Sequence, residues 1–256
     1  MRPLTLTLPL LIGHRGAAAH APENTLASIR EASAQGAPMV EFDATISGDT
    51  PPQTILFHDD TLDRTTNGTG QVDKTPFAAL RELDAGNGQP IPTLEDAIEL
   101  VHALGLTANV EIKVAPNRDV ETAMAVMATL KACWPSDAPP PFISSFSIEA
   151  LEVAKREAPE WPRGYLIWDK PDDWREIADR LTVATINVNG DRVTAEEVAA
   201  FKSTGRHVLV YTVNDTDQMH ELLAWGVEGV FTDTPKTLKP ILDAQPRRQI
   251  TLNDSH

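Results

Sequence analysis

Four short groups of ionisable residues carry the chemistry this chain can do: His14-Arg15, Glu41-Phe42-Asp43, His58-Asp59 and Glu111-Ile112-Lys113. On a strand, side chains two apart share a face, so Glu41 joins Asp43 and Glu111 joins Lys113. Three carboxylates suit a hard divalent cation such as Mg²⁺ or Ca²⁺, which prefers oxygen ligands. Arg15 can grip a phosphate with a two-pronged fork, and Lys113 can meet it as a point charge. Imidazole is the side chain suited to moving protons near neutral pH, so His14 and His58 suit a general acid and a general base. Each group alone has a plainer reading. Glu41 and Asp43 can be strand-face carboxylates paired with arginine, Glu111 and Lys113 a structural ion pair, and His58 a satisfied polar residue. Together they favour a phosphoester site.

The elements that must position them alternate along the chain. Candidate strands are Leu10–Gly13, Met39–Ile46, Thr54–His58, Thr107–Lys113, Phe142–Phe146, Gly164–Trp168, Val183–Val188, His207–Val213 and Gly229–Asp233. Helical patterns lie between most of them. Asn24 is expected to cap a helix running to Gln35. Thr93 with Asp96, and Thr194 with Glu197, have capping-box spacing, and Asp215 opens a helix that ends at Gly226. Repeated β-α units over this length predict a (β/α)8 barrel, with its site where strand C-termini meet. One strand is surplus. The linker Ser47-Gly48-Asp49-Thr50-Pro51-Pro52 is too short for a parallel crossover, so Met39–Ile46 and Thr54–His58 should form an antiparallel hairpin. A turn near Asp49 and Thr50 would set His58 opposite Glu41. Residues 59–92, rich in turn signals, read as an insertion in a single domain of residues 1–243. There Arg64 is expected to anchor the insertion, and Pro22-Glu23-Asn24-Thr25 reads as a loop ending in a helix cap.

The chain has 256 residues, 41% hydrophobic and 23% charged, an ordinary globular composition. With 37 acidic residues against 22 Lys plus Arg, the formal net charge is −15, which disfavours nucleic acids and anionic membrane surfaces as partners. An anionic small molecule then requires a local cluster of positive charge, which Arg15, Lys113 and a cation would supply. The single cysteine, Cys133, forms no intramolecular disulfide, and with Trp134 it reads as a packing residue. No stretch has the length of a membrane span. The opening residues read as a mature N-terminus of a cytoplasmic protein without a membrane anchor, and residues 244–256 as a flexible tail. Oligomeric state is not legible.

The ordered set of motifs resembles the glycerophosphodiester phosphodiesterase family, most closely its bacterial cytoplasmic type. The matching residues are Gly13-His14-Arg15-Gly16, Pro22-Glu23-Asn24-Thr25, Glu41-Phe42-Asp43, Phe57-His58-Asp59, Leu62-Asp63-Arg64-Thr65-Thr66 and Glu111-Ile112-Lys113. Val210-Tyr211-Thr212-Val213-Asn214 and Gly229-Val230-Phe231-Thr232-Asp233 follow. The resemblance spans about residues 12 to 235. It implies a barrel of the phospholipase-C-like phosphodiesterase kind with a small insertion. It also implies hydrolysis of sn-glycerol-3-phosphodiesters, such as glycerophosphocholine, to glycerol 3-phosphate and an alcohol. Carried over by motif, His14 and His58 are the acid–base pair; Glu41, Asp43 and Glu111 hold the one divalent metal ion; Arg15 and Lys113 bind the phosphate. Tyr211 stands where many members have Trp and is expected to wall the glycerol pocket. The competing readings are a lysophospholipase D acting on acylated substrates, a silent phosphodiester-binding protein, and an unrelated barrel enzyme.

Overall fold

In the computed structural model, residues 6–245 and 250–252 are described. Eight parallel strands close into a barrel: β2 (Leu11–Gly13), β3 (Met39–Ile46), β5 (Thr107–Ile112), β6 (Phe142–Ser145), β7 (Arg163–Ile167), β8 (Thr185–Asn189), β9 (His207–Tyr211) and β10 (Gly229–Thr232). Closure comes from β10 pairing with β2 and β2 with β3. The surplus strand is the expected hairpin return, β4 (Thr54–Leu56), antiparallel to the far half of β3. Strand β3 is therefore shared: Met39–Ala44 pair with β5 in the barrel, and Ala44–Ile46 pair with β4.

The hairpin register differs by one residue from the sequence expectation. Ala44 pairs with Leu56, so the ladder extended would set His58 against Phe42 rather than Glu41. The turn is centred on Thr50. The ladder itself stops at Leu56, with Phe57 N–H donating to the Asp43 carbonyl at 3.0 Å, and His58 leaves the sheet.

Helices cover the outer face: α1 (Leu26–Ala34), α3 (Leu94–Ala103), α4 (Asp119–Cys133), α5 (Ile148–Glu157), α6 (Trp174–Leu181), α7 (Ala195–Lys202), α8 (Thr216–Trp225) and α9 (Pro235–Asp243). The Thr93–Asp96 and Thr194–Glu197 boxes cap α3 and α7, Asp215 caps α8, and Gly226 ends α8 in the left-handed region. Helix α1 is capped by Thr25, not Asn24. Two apolar clusters fill the sheet–helix layer, one around Phe42, Val110 and Met127, the other around Ile186, Phe201 and Val210. Cys133 is exposed and takes no part in packing, while Trp134 packs at the edge of the first cluster.

The insertion has a small core of its own. Leu62, Val72, Leu80 and Ile91 pack with Ile55 and Phe57 of the hairpin return, joined by the partly buried Phe77 and Leu83. Its one short α-helix, α2 (Phe77–Leu80), lies between them.

Inside the barrel, Ile12, Met39, Phe142, Leu209 and Phe231 form the floor beneath the rim. Leu8 completes that floor from β1 (Leu6–Leu8), which pairs antiparallel with β11 (Ile250–Leu252). The described part of the expected tail is thus partly a strand; the remainder of residues 246–256 lies outside the described residues. No helix among the described residues is long and apolar enough to cross a membrane.

Because Leu8 is fully enclosed at the barrel's lower end, Leu8→Ala is expected to lower unfolding free energy by about 2–5 kcal/mol. A shift of the urea midpoint without a change in slope measures it.

Candidate functional site

His14, Arg15, His58 and Lys113 sit one or two residues past the C-terminal ends of their strands, Glu111 is the last residue but one of β5, and Glu41 and Asp43 lie within β3. His14, Arg15, Glu41, His58, Glu111 and Lys113 line one pocket of about 390 Å³, and Asp43 lies directly behind them, 1% exposed. The residue types and spacings read from the sequence therefore converge in space.

The turn after β2 brings Arg15 over the carboxylates. Arg15 has φ 48 and Gly16 φ 85, both left-handed, so the chain reverses within two residues. A Cβ at residue 16 would meet the Ser28 backbone at 2.4 Å, so only glycine fits. The reversed Arg15 amide donates to Glu41 Oε2 at 2.8 Å, and its side-chain NH1 donates to Glu23 Oε1 at 2.8 Å. Asn24, at φ 56, donates its amide to Asp43 Oδ2 at 2.8 Å and accepts from the Asp43 backbone at 3.0 Å. Its side chain serves the site, which explains why Thr25 takes the cap.

Each histidine is held by a carboxylate. His58 Nδ1 meets Asp59 Oδ1 at 2.6 Å, and Lys113 Nζ donates to His58 Nε2 at 3.0 Å. A lysine can only donate, so Nε2 carries the lone pair and Nδ1 the proton. His14 Nδ1 meets Asp233 Oδ1 at 2.7 Å, and Asn214 donates to the other Asp233 oxygen at 2.7 Å. Burial works against ionised Asp233, but the hydrogen bonds from His14 and Asn214 hold its carboxyl below the usual range. Both rings are thus fixed through Nδ1. Asp233, Glu23 and Asn24 escape sequence reasoning as functional residues. Asp233 carries the same signal as the others, a carboxylate just past a strand end.

The three remaining carboxylates repel one another. Glu41, Asp43 and Glu111 each offer an oxygen, and these oxygens lie within 4.8 Å of one another. Burial and the charges of Asp43 and Glu111 push Glu41 well above the carboxylate range. Burial and Asp43 push Glu111 up to about 8, against the pull of Lys113 3.5 Å away. Asp43 goes the other way, since the charges of Arg15, His58 and Lys113 outweigh its burial. Glu41 Oε1 is buried without any hydrogen-bond partner. An orphaned oxygen among three converging carboxylates is a donor set that a hard divalent cation fits.

His58 is depressed below its ordinary value of 6.5, chiefly by burial and further by Arg15 and Lys113, with Asp43 and Asp59 offsetting part. Tyr211 stands across the pocket, its ring edge-on to Phe146 at 5.8 Å. Its hydroxyl donates to the Ile167 carbonyl at 2.8 Å, so what it presents to the pocket is a wall.

The chain is similar to known proteins over most of its length. Residues 14–237 match the model of the glycerophosphoryl diester phosphodiesterase family. A glycerophosphodiester phosphodiesterase of Caldanaerobacter subterraneus subsp. tengcongensis is 30% identical over 238 residues, covering 90% of this chain and 96% of that protein. One of Bacillus subtilis is 31% identical over 253 residues, covering 88% and 84%. Among solved structures, a phosphodiesterase of Oleispira antarctica in complex with the product sn-glycerol-3-phosphate superposes with a TM-score of 0.88 at 38% identity. That match covers 93% of this chain and 98% of the other.

The raised carboxylates give the fold a pH signature. A carboxyl with a raised folded pKa loses stability as pH climbs from its ordinary value to its folded one. His58, depressed below 6.5, contributes no slope above that value. In chelator, the thermal midpoint should therefore fall as pH rises from 7 through about 8, the value of Glu111. Saturating Mg²⁺ or Ca²⁺ should flatten that slope. A midpoint independent of pH in chelator would remove the mutual repulsion from the account.

Proposed function

The chain belongs to the glycerophosphoryl diester phosphodiesterase family and is a glycerophosphodiester phosphodiesterase; on that premise we propose a metal-dependent hydrolase of small, unacylated sn-glycerol-3-phosphodiesters. Glycerophosphocholine and glycerophosphoethanolamine are representative substrates, and the products are glycerol 3-phosphate and the free alcohol. The observation that carries this reading is the pairing of two carboxylate-held histidines with Arg15, Lys113 and a buried three-carboxylate cluster around one pocket.

Glu41, Asp43 and Glu111 would hold one divalent cation, Mg²⁺ or Ca²⁺. Bound there, it supplies positive charge to the phosphate oxygens as negative charge builds up in the transition state. Arg15 and Lys113 bind the phosphodiester and share that role. His58, kept neutral near pH 7 by burial and its cationic neighbours, takes the proton from the attacking oxygen at Nε2. That oxygen belongs to water, which gives glycerol 3-phosphate directly, or to the adjacent glycerol hydroxyl, which gives a cyclic phosphate that a water molecule then opens to glycerol 3-phosphate. As its bond to phosphorus forms and the ester bond breaks, His14 gives a proton to the departing alkoxide. Asp59 and Asp233 keep each Nδ1 protonated and each ring aimed.

An acylated substrate needs an apolar surface for its chain. The insertion's apolar side chains are spent instead on its own core, with Leu80 fully buried and Phe77 and Leu83 packed against it. The insertion thus supplies no acyl-chain channel, which favours the unacylated substrate over the lysophospholipase D reading; the large apolar side chains exposed at the pocket are Phe146 and Trp168.

Glycerol 3-phosphate release from glycerophosphocholine should vanish in chelator and return with Mg²⁺ or Ca²⁺; undiminished release in chelator would remove the metal from the reaction. His14→Ala and His58→Ala should each lower kcat by about 10²- to 10⁴-fold while cation affinity survives. Cation affinity lost in either variant, with activity recovered in excess cation, would make that histidine a ligand. Glu111→Ala should raise the cation concentration needed for half-maximal rate, and a normal requirement would strike Glu111 from the ligand set.

A further inference from the structure

We infer that Arg64, contributed by the insertion, is a positioning residue that aligns the phosphate-binding Arg15 and the base His58 with one guanidinium; this rests on the function proposed above. Its Nε and NH2 donate to Asp59 Oδ2 and Oδ1 at 2.6 and 2.8 Å. Its NH1 and NH2 donate to Glu23 Oε2 and Oε1 at 2.8 and 2.7 Å. Two edges of one planar group are thus filled by two carboxylates, the double fork that arginine alone among side chains provides.

The shared oxygens make the link. Glu23 Oε1, which takes a bond from Arg64 NH2, is the oxygen that accepts from Arg15 NH1 at 2.8 Å. Asp59 Oδ1, bonded to the same NH2, is the oxygen that meets His58 Nδ1 at 2.6 Å. A single nitrogen therefore fixes both atoms that orient the phosphate-binding arm and the base. If Arg64 moves, Glu23 and Asp59 are released together, and each can take its partner out of line.

The backbone supports this placement. Arg64 sits in a turn closed by Thr66, whose N–H and hydroxyl donate to the Leu62 carbonyl at 3.1 and 2.8 Å. Leu62 is buried in the insertion's core. The insertion's packing thereby sets where the guanidinium stands. The Arg64 side chain is half exposed, so water screens these pairs and limits what they add to stability. Its effect should thus fall on alignment, because a misplacement of about 1 Å can cost 10²-fold in rate.

The experiment compares wild type, Arg64→Ala and Arg64→Lys, all loaded with Mg²⁺ or Ca²⁺. It reads kcat on glycerophosphocholine, Kd for glycerol 3-phosphate, and the thermal midpoint. Arg64→Ala should lower kcat by about 10- to 100-fold and weaken product binding several-fold, with little change in midpoint. Arg64→Lys keeps the charge but lacks the double fork, so it should leave most of the defect in place. Millimolar guanidinium should restore part of the Arg64→Ala rate and leave wild type unchanged. Kinetics and product affinity at wild-type levels with a lowered midpoint would make Arg64 a tether and overturn the inference. Full recovery by Arg64→Lys would also overturn it, since charge alone would then suffice. Should Arg64→Ala not fold, Arg64→Lys still decides between fork and charge. A wild type that binds glycerol 3-phosphate but cleaves no phosphodiester would refute the hydrolase instead, and the effect of Arg64 on product affinity would still test the alignment of Arg15.

Discussion

Three carboxylates converge on one buried point, and the rest of the rim is arranged around the repulsion between them. At separations within 4.8 Å, each ionised pair costs roughly 3 kcal/mol or more at an effective dielectric of about 20. Two cations in reach, Arg15 and Lys113, do not cancel three charges, and burial together with the neighbouring carboxylates pushes the carboxyls of Glu41 and Glu111 upward. Asp43 is held below the usual carboxylate range against its burial, with Arg15 and Lys113 close by and the Asn24 amide donating to it. The fold sustains this by burying the three acids on two neighbouring parallel strands, where Asp43 and Glu111 are register partners. Such a cluster is relieved by added positive charge, and under the proposed function a cation there would let a chain of net charge −15 receive an anion.

Around that centre, the two histidines are built alike from unlike parts. His14 takes its carboxylate from the last strand of the barrel, 219 positions away, and His58 takes its own from the next residue. One dyad is set by barrel closure, the other by a local turn that the insertion holds in place. Closing the ring of strands therefore brings His14 to its carboxylate, and folding the insertion holds the carboxylate that meets His58.

Much of this was legible because the chemistry stands at strand ends and the strands are marked by apolar runs bounded by turns. The barrel, the hairpin return, the insertion and the convergence of His14, Arg15, Glu41, Asp43, Glu111 and Lys113 all follow from that pattern. What stayed hidden depends on tertiary partners. Asn24 looks like a helix cap because local rules see only its short polar side chain, whereas in the fold Asp43 claims it and Thr25 caps instead. The hairpin slips by one residue because turn geometry, not hydrophobic pattern, fixes where the return strand begins. Glu23 reads as part of a capping loop and Arg64 as an anchor of the insertion, because only the fold shows Arg64 bonded to Glu23, the partner of Arg15, and to Asp59, the partner of His58. The alternation Leu4-Thr5-Leu6-Thr7-Leu8 is a strand signal, obscured by Pro3 and Pro9 on either side.

The pairing of Leu8 with Ile250 under the barrel joins residues from near opposite ends of the sequence. Contacts of such separation carry the greatest loop-closure entropy while the chain is still open, and almost none once the intervening barrel has formed. The seal beneath the floor is therefore expected to close late in folding. Interactions formed after the rate-limiting step act mainly by slowing unfolding. The small two-stranded sheet is then a kinetic latch: it adds little to how fast the barrel assembles and much to how long it stays assembled.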